Sequence, residues 1–135
     1  MSFASKGPVE QDYSSLTGVS VLVVEDTWHV AKALGSALEQ FGMEVSGPTA
    51  TTAEARRLIA EQMPRLAVVD VNLKGELACG LVEELHDQGV SVVVVSGYAL
   101  PPIPVEKVAA ILQKPVSGPE LLGALCGAMA QTRLH

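Results

Sequence analysis

Aromatic side chains are scarce in this chain of 135 residues: two Tyr, two Phe and one Trp. Its core must therefore be packed from Val, Leu and Ala. Cysteine is almost missing as well. Cys79 and Cys126 form neither a CxxC pair nor a metal-ligand spacing, so two reduced, buried thiols are expected in preference to a disulfide or a redox role. Positive charge is in deficit, with 9 Lys and Arg against 15 Asp and Glu, a net charge of −6 and no basic stretch. DNA affinity rests on Lys and Arg neutralising phosphates, so no direct nucleic-acid partner is expected. No apolar run has the length of a membrane span. The opening residues Met1 to Pro8 lack the apolar segment of a signal peptide, and the expected location is cytoplasmic. Neither GxGxxG nor GxxxxGK[ST] occurs, which weighs against a flavin- or nucleotide-binding enzyme.

What the chain does hold is 48% hydrophobic residues, enough for one domain that buries about 68–70% of its unfolded surface. Four short apolar runs stand out: Val19–Val24, Leu66–Val69, Ser91–Val95 and Val108–Leu112. Continuous runs of this length read as parallel strands buried on both faces. Between them lie helical patterns. Val30, Leu34, Ala37, Leu38 and Phe41 follow one helix face beginning after Asp26 or Thr27, and Gly42 stops it. Met43–Ser46 reads as a short second strand. Thr51 and Glu54 form a capping box that opens helix two, and Pro64 lies just past its end. Leu77, Leu81 and Leu85 mark helix three, which follows the turn 71–75 and ends at Gly89. Ser117 and Glu120 form a second capping box, opening helix five with Leu121, Leu122, Leu125 and Met129.

Helix four is the exception. Leu100-Pro101-Pro102-Ile103-Pro104 puts three prolines in its place, and each interior proline costs a helix about 3 kcal/mol. A short, displaced or irregular element is expected there. Strands alternating with helices imply an α/β fold, a doubly wound five-stranded parallel sheet of flavodoxin-like order 2-1-3-4-5. Residues 1–17 are polar and aperiodic and read as a flexible leader, with the domain over 18–132. Gly123 and Gly127 allow a close backbone approach, within the chain or across a homodimer.

The strand ends carry the chemistry. Glu25-Asp26 follows strand one, Asp70 closes strand three, Ser96-Gly97 follows strand four and Lys114 follows strand five. Singly, each reads as a cap, a turn or a surface charge. Together they fall on the carboxyl edge of one sheet, where open α/β sheets place their ligands. Three carboxylates in one spot repel unless a cation neutralises them, and a hard cation such as Mg2+ takes oxygen ligands. Glu25 would act through water, Asp26 and Asp70 directly, and the main-chain carbonyl of Asn72 is a further expected ligand. Asp70 would be the nucleophile towards a phosphoryl group, with Lys114 and Ser96 meeting its oxygens and Gly97 leaving the approach uncrowded. Trp28 is expected at the mouth of the site, limiting access or contacting a donor protein.

This constellation resembles the receiver domain of two-component response regulators over residues 18–132, through the segments Val21–Asp26, Val68–Leu73, Val94–Tyr98 and Gln113–Pro115. The resemblance implies phosphorylation of Asp70 by a histidine kinase or histidine phosphotransferase with bound Mg2+, the chain catalysing only its own phosphorylation and dephosphorylation. It implies that Glu25 and Asp26 are the metal acids, Ser96 the switch hydroxyl and Lys114 the conserved lysine. Two features depart from the pattern. Ile111 stands where receivers carry an aromatic three residues before the lysine, and the prolines interrupt helix four. Both are similar to an α-proteobacterial subgroup with a Phe-Ala-Thr-Gly-Tyr-like motif, in which Tyr98 would take the switch role. The leading expectation is a receiver without an attached output domain that acts on an unknown downstream protein. The alternative is a pseudo-receiver, an interaction or dimerisation module indifferent to phosphate.

Overall fold

The computed structural model describes residues 12–73, 76–97 and 103–133. Five parallel strands form the sheet: β1 (Ser20–Val24), β2 (Glu44–Thr49), β3 (Leu66–Asp70), β4 (Ser91–Ser96) and β5 (Ala110–Gln113). Their spatial order is β2-β1-β3-β4-β5, the expected 2-1-3-4-5 arrangement. The helices are α1 (Trp28–Gln40), α2 (Thr52–Glu61), α3 (Cys79–Asp87) and α4 (Gly118–Arg133), the last being the helix expected as the fifth.

The continuous apolar runs follow from two-sided burial. Val21, Val23, Val68 and Val93 face one layer, packed with Leu38 of α1 and Leu121, Leu125 and Met129 of α4. Leu22, Val24, Ala67, Val69, Val92 and Val94 face the other, packed with Ala55 of α2 and Leu81, Val82 and Leu85 of α3. Because successive side chains point to opposite faces, a strand covered on both sides has no polar position to spare.

Both predicted N-caps form, the second as a complete capping box. The Thr51 hydroxyl accepts from the Glu54 N–H at 3.1 Å. At α4 the exchange is reciprocal, Glu120 N–H to Ser117 Oγ at 3.2 Å and Ser117 N–H to Glu120 Oε1 at 3.1 Å. Thr27 is the N-cap of α1. In place of the fourth helix the described residues hold a single 3-10 turn, Val105–Lys107. Ile103, just before it, is buried in the α2/α3 layer.

Several expectations are corrected. Residues 12–17 are not a loose leader: Ser14–Leu16 form a 3-10 turn and Leu16 is 0% exposed in the α1/α4 layer. Tyr13 meets Phe41 edge-on at 5.2 Å. Phe41 lies beyond the end of α1, and its ring covers this segment rather than the helix's inner face. Residues 1–11 lie outside the described residues. Leu77 is not on helix three but in a two-stranded hairpin, Asn72–Leu73 with Glu76–Leu77, and is 59% exposed. Strand two runs on to Thr49 across Gly47, where a register shift against β1 accommodates the chain. Gly47 has φ +91°, and a Cβ there would lie 2.9 Å from Val23 O, so only glycine fits. Strand five starts at Ala110 rather than Val108. Gly123 and Gly127 allow no close intrachain packing, since a Cβ at either would meet nothing within 4 Å.

Candidate functional site at the carboxyl edge of the sheet

Register brings the site together. Val24 pairs with Val69 and Asp70 with Val95, so Glu25, Asp70 and Ser96 leave three adjacent strands side by side. Lys114 arrives one residue after β5, where its N–H donates to the Ser96 carbonyl at 2.8 Å. Carboxylate oxygens of Glu25, Asp26 and Asp70 all lie within 4.8 Å of one another. Glu25 and Asp70 are each 3% exposed, Ser96 is fully buried and Asp26 is half-buried.

Each buried acid has partners. The Lys114 ammonium donates to Asp70 Oδ2 at 2.8 Å and stands 3.4 Å from Glu25 Oε1. The Asn72 N–H donates to Asp70 Oδ1 at 3.0 Å, and the Thr27 N–H donates to Glu25 Oε2 at 3.0 Å. Burial pushes the Glu25 carboxyl up from its ordinary value and the Asp70 charge adds to the rise, against the opposing Thr27 bond and Lys114 ammonium. Burial alone would lower Lys114, but the hydrogen bond to Asp70 and the charges of Glu25 and Asp70 outweigh it and hold its pKa above the usual lysine range.

Three carboxylates against one ammonium leave the pocket short of positive charge. An all-oxygen set in this spacing suits a hard divalent cation of the Mg2+ class, which binds through one or two carboxylates and keeps several waters. The donor set therefore fits such an ion. Bound there, it would supply charge neutralisation to the carboxylates and to any phosphoryl oxygens brought beside them.

Trp28 stands at the mouth, 71% exposed, with the Lys32 ammonium 5.0 Å from the ring centroid. It lines a cavity of about 220 Å3 with Glu25, Asp26 and Thr49. A larger cavity of about 450 Å3 opens beside Lys114, walled by Val30, Leu34, Val95, Val116 and Leu121. Gly97 has open space around it. Tyr98 lies outside the described residues, and Ile111 is half-buried against the α2/α3 layer.

Sequence reasoning missed two supports. The Thr49 carbonyl accepts the Glu25 N–H at 2.9 Å. Glu76 reaches across to the start of α2, accepting from Thr52 N–H at 2.9 Å and Thr52 Oγ1 at 3.1 Å. Neither has a local signal, because each joins segments at least 24 positions apart; only the Thr51 capping box marked where α2 begins.

Comparison with known proteins agrees with this geometry. The family described as "Response regulator receiver domain" matches residues 21–125. The transcriptional regulatory protein DesR of Bacillus subtilis is 29% identical over 84 residues, which cover 62% of this chain and 42% of that protein; the chain thus spans less than half of that relative. The receiver domain protein of Methanospirillum hungatei superposes with a TM-score of 0.75 at 24% identity, covering 87% of this chain and 98% of that one. The receiver domain protein of Clostridium thermocellum gives a TM-score of 0.76 at 19% identity, covering 86% and 98%. At such identities the structural likeness speaks for the fold. The family match extends from β1 into α4, across every strand that delivers an acid or the lysine, and on that ground the chain belongs to the response regulator receiver-domain family.

Proposed function

We propose that this chain is a phosphoacceptor receiver of a two-component phosphorelay, phosphorylated on Asp70 by a histidine kinase or histidine phosphotransferase. The observation that carries the reading is the pairing of a buried aspartate with a lysine ammonium at 2.8 Å inside a three-carboxylate cluster. One Asp70 oxygen attacks the phosphorus of a phosphohistidine. The O–P bond of an acyl phosphate forms as the P–N bond breaks, and the donor imidazole keeps the electron pair. Such transfer depends on positioning and charge neutralisation rather than on covalent machinery.

Glu25, Asp26, Asp70 and the Asn72 carbonyl are assigned to Mg2+, with Glu25 acting through water. Lys114, released from Asp70 Oδ2, meets the incoming phosphoryl oxygens. The Ser96 hydroxyl turns to the same oxygens, and Trp28 contacts the donor protein. With Ile111 aliphatic, Tyr98 is assigned the aromatic switch role, as in the subgroup with the Phe-Ala-Thr-Gly-Tyr-like motif. A downstream protein that reads the phosphorylated surface completes the scheme.

The test is transfer from radiolabelled, autophosphorylated histidine kinases in the presence of Mg2+. A base-labile label is expected on the wild type and not on Asp70→Asn. Absence of labelling by every kinase, together with no response to a phosphate analogue and Mg2+, would instead identify a pseudo-receiver.

A further inference from the structure

The loop after Asp70 is held from outside the site. Asn72–Leu73 pairs with Glu76–Leu77 as two strands of two residues each, and an isolated hairpin of that size is marginal in water. Its base is closed by the Ala78 N–H donating to the Val71 carbonyl at 2.9 Å. Its far strand is clamped by Glu76, whose two oxygens take both donors of Thr52, a residue only 8% exposed. The Thr52 N–H belongs to the first turn of α2, one of the donors a helix leaves unmet, and a carboxylate there also suits the helix dipole.

The clamp is itself anchored. Arg56 donates from Nη1 to Thr52 Oγ1 at 3.4 Å and grips Glu84 of α3 through Nε and Nη2 at 2.9 and 2.7 Å. On the other side, Thr49 receives the Glu25 N–H through its carbonyl and donates from Oγ1 to Glu54 Oε1 at 2.8 Å. A path therefore runs from Asp70 through Asn72 and the hairpin to Glu76, then through Thr52 and Thr49 to Glu25. Its two ends are members of the carboxylate cluster, Asp70 and Glu25, while Glu76 itself lies outside it.

We propose that Glu76 is a positioning residue of the phosphoacceptor site: by clamping the start of α2 it fixes the Asn72 main chain against Asp70 and so sets the affinity of the cluster for a divalent cation. This rests on the phosphoacceptor reading above. Outer-shell partners of metal ligands typically change affinity by about 10–100-fold when removed, and Glu76, one bonded step further out, belongs at the low end of that range.

The experiment is an Mg2+ titration of the full chain, read by the fluorescence of Trp28, the single tryptophan, and by the Mg2+-dependent rise in melting temperature. Glu76→Ala is expected to weaken Mg2+ binding by about tenfold and to speed hydrogen exchange of the Asn72 amide. Glu76→Gln loses the charge but keeps an acceptor for the Thr52 N–H, and should bind nearly as the wild type does. Glu76→Asp keeps the charge but loses the reach, and should resemble Glu76→Ala; it also serves if the alanine variant does not fold. Wild-type affinity in Glu76→Ala or Glu76→Asp would overturn the proposal. So would equal losses in Glu76→Gln and Glu76→Ala, which would reduce the effect to charge. A wild type that shows no Mg2+ dependence by either readout would overturn the phosphoacceptor reading itself, and the proposal with it.

Discussion

Lys114 and Asp70 meet at 2.8 Å although their strands are not neighbours, β4 lying between them. Through Val95, Asp70 is level with Leu112, so Lys114 stands two positions further along and its long side chain closes the distance. The ammonium is the positive charge that faces this aspartate, itself only 3% exposed.

Replacing that ammonium should therefore expose the cost of the cluster. Lys114→Met is expected to destabilise the metal-free protein by about 1–2 kcal/mol, below the ~3–5 kcal/mol of a fully buried pair, since the lysine side chain is 35% exposed. Saturating Mg2+ should narrow the gap by supplying the missing charge. Urea denaturation in EDTA and in excess Mg2+ measures both.

Glu25 gives a pH dependence of defined sign. Its folded pKa is raised by burial and by the Asp70 charge, so the folded state holds the proton more firmly than the unfolded chain. Stability from this group is fully present below the unfolded pKa and is lost as pH rises through the folded pKa. Metal-free Glu25→Gln escapes that loss. Its stability relative to wild type should increase across this window and level off above it, as followed by thermal denaturation in EDTA.

Leu16 tests the role of the first ordered turn. As a fully buried core residue, its replacement in Leu16→Ala should cost about 2–5 kcal/mol in urea denaturation. A truly loose leader would predict no change.

Leu77 and Leu81 share one apolar spacing but not one environment. Leu77→Ala, at an exposed hairpin position, should stay within about 0.5 kcal/mol of wild type. Leu81→Ala, 1% exposed in the α2/α3 layer, should cost about 2–5 kcal/mol. Melting curves of the two variants, compared side by side, check the contrast.

The same pair shows how far local pattern reaches. An i, i+4, i+8 spacing cannot distinguish a helix from a hairpin that happens to place a leucine one turn ahead. What excludes Leu77 from α3 is the pairing of Glu76–Leu77 with Asn72–Leu73 and the pull of Glu76 towards Thr52, both of them non-local. Phe41 leaves the helix pattern for a related reason: it is 38% exposed past the end of α1, and its ring meets Tyr13, from a segment with no periodicity of its own. The capping boxes, by contrast, were readable because donor and acceptor lie three residues apart.

The chain order of short apolar runs and acidic strand ends was sufficient to determine the parallel sheet and the membership of its acidic edge, since burial on both faces dictates composition and connection rules leave few topologies. Folding in three dimensions decided how that edge is held: the Lys114–Asp70 contact, the rise in Glu25's pKa, and the Glu76 clamp all depend on distances between segments that sequence separation does not encode. Hydrophobic pattern is a local property of each element, whereas electrostatics and hydrogen bonding act between whichever elements packing brings within a few ångströms.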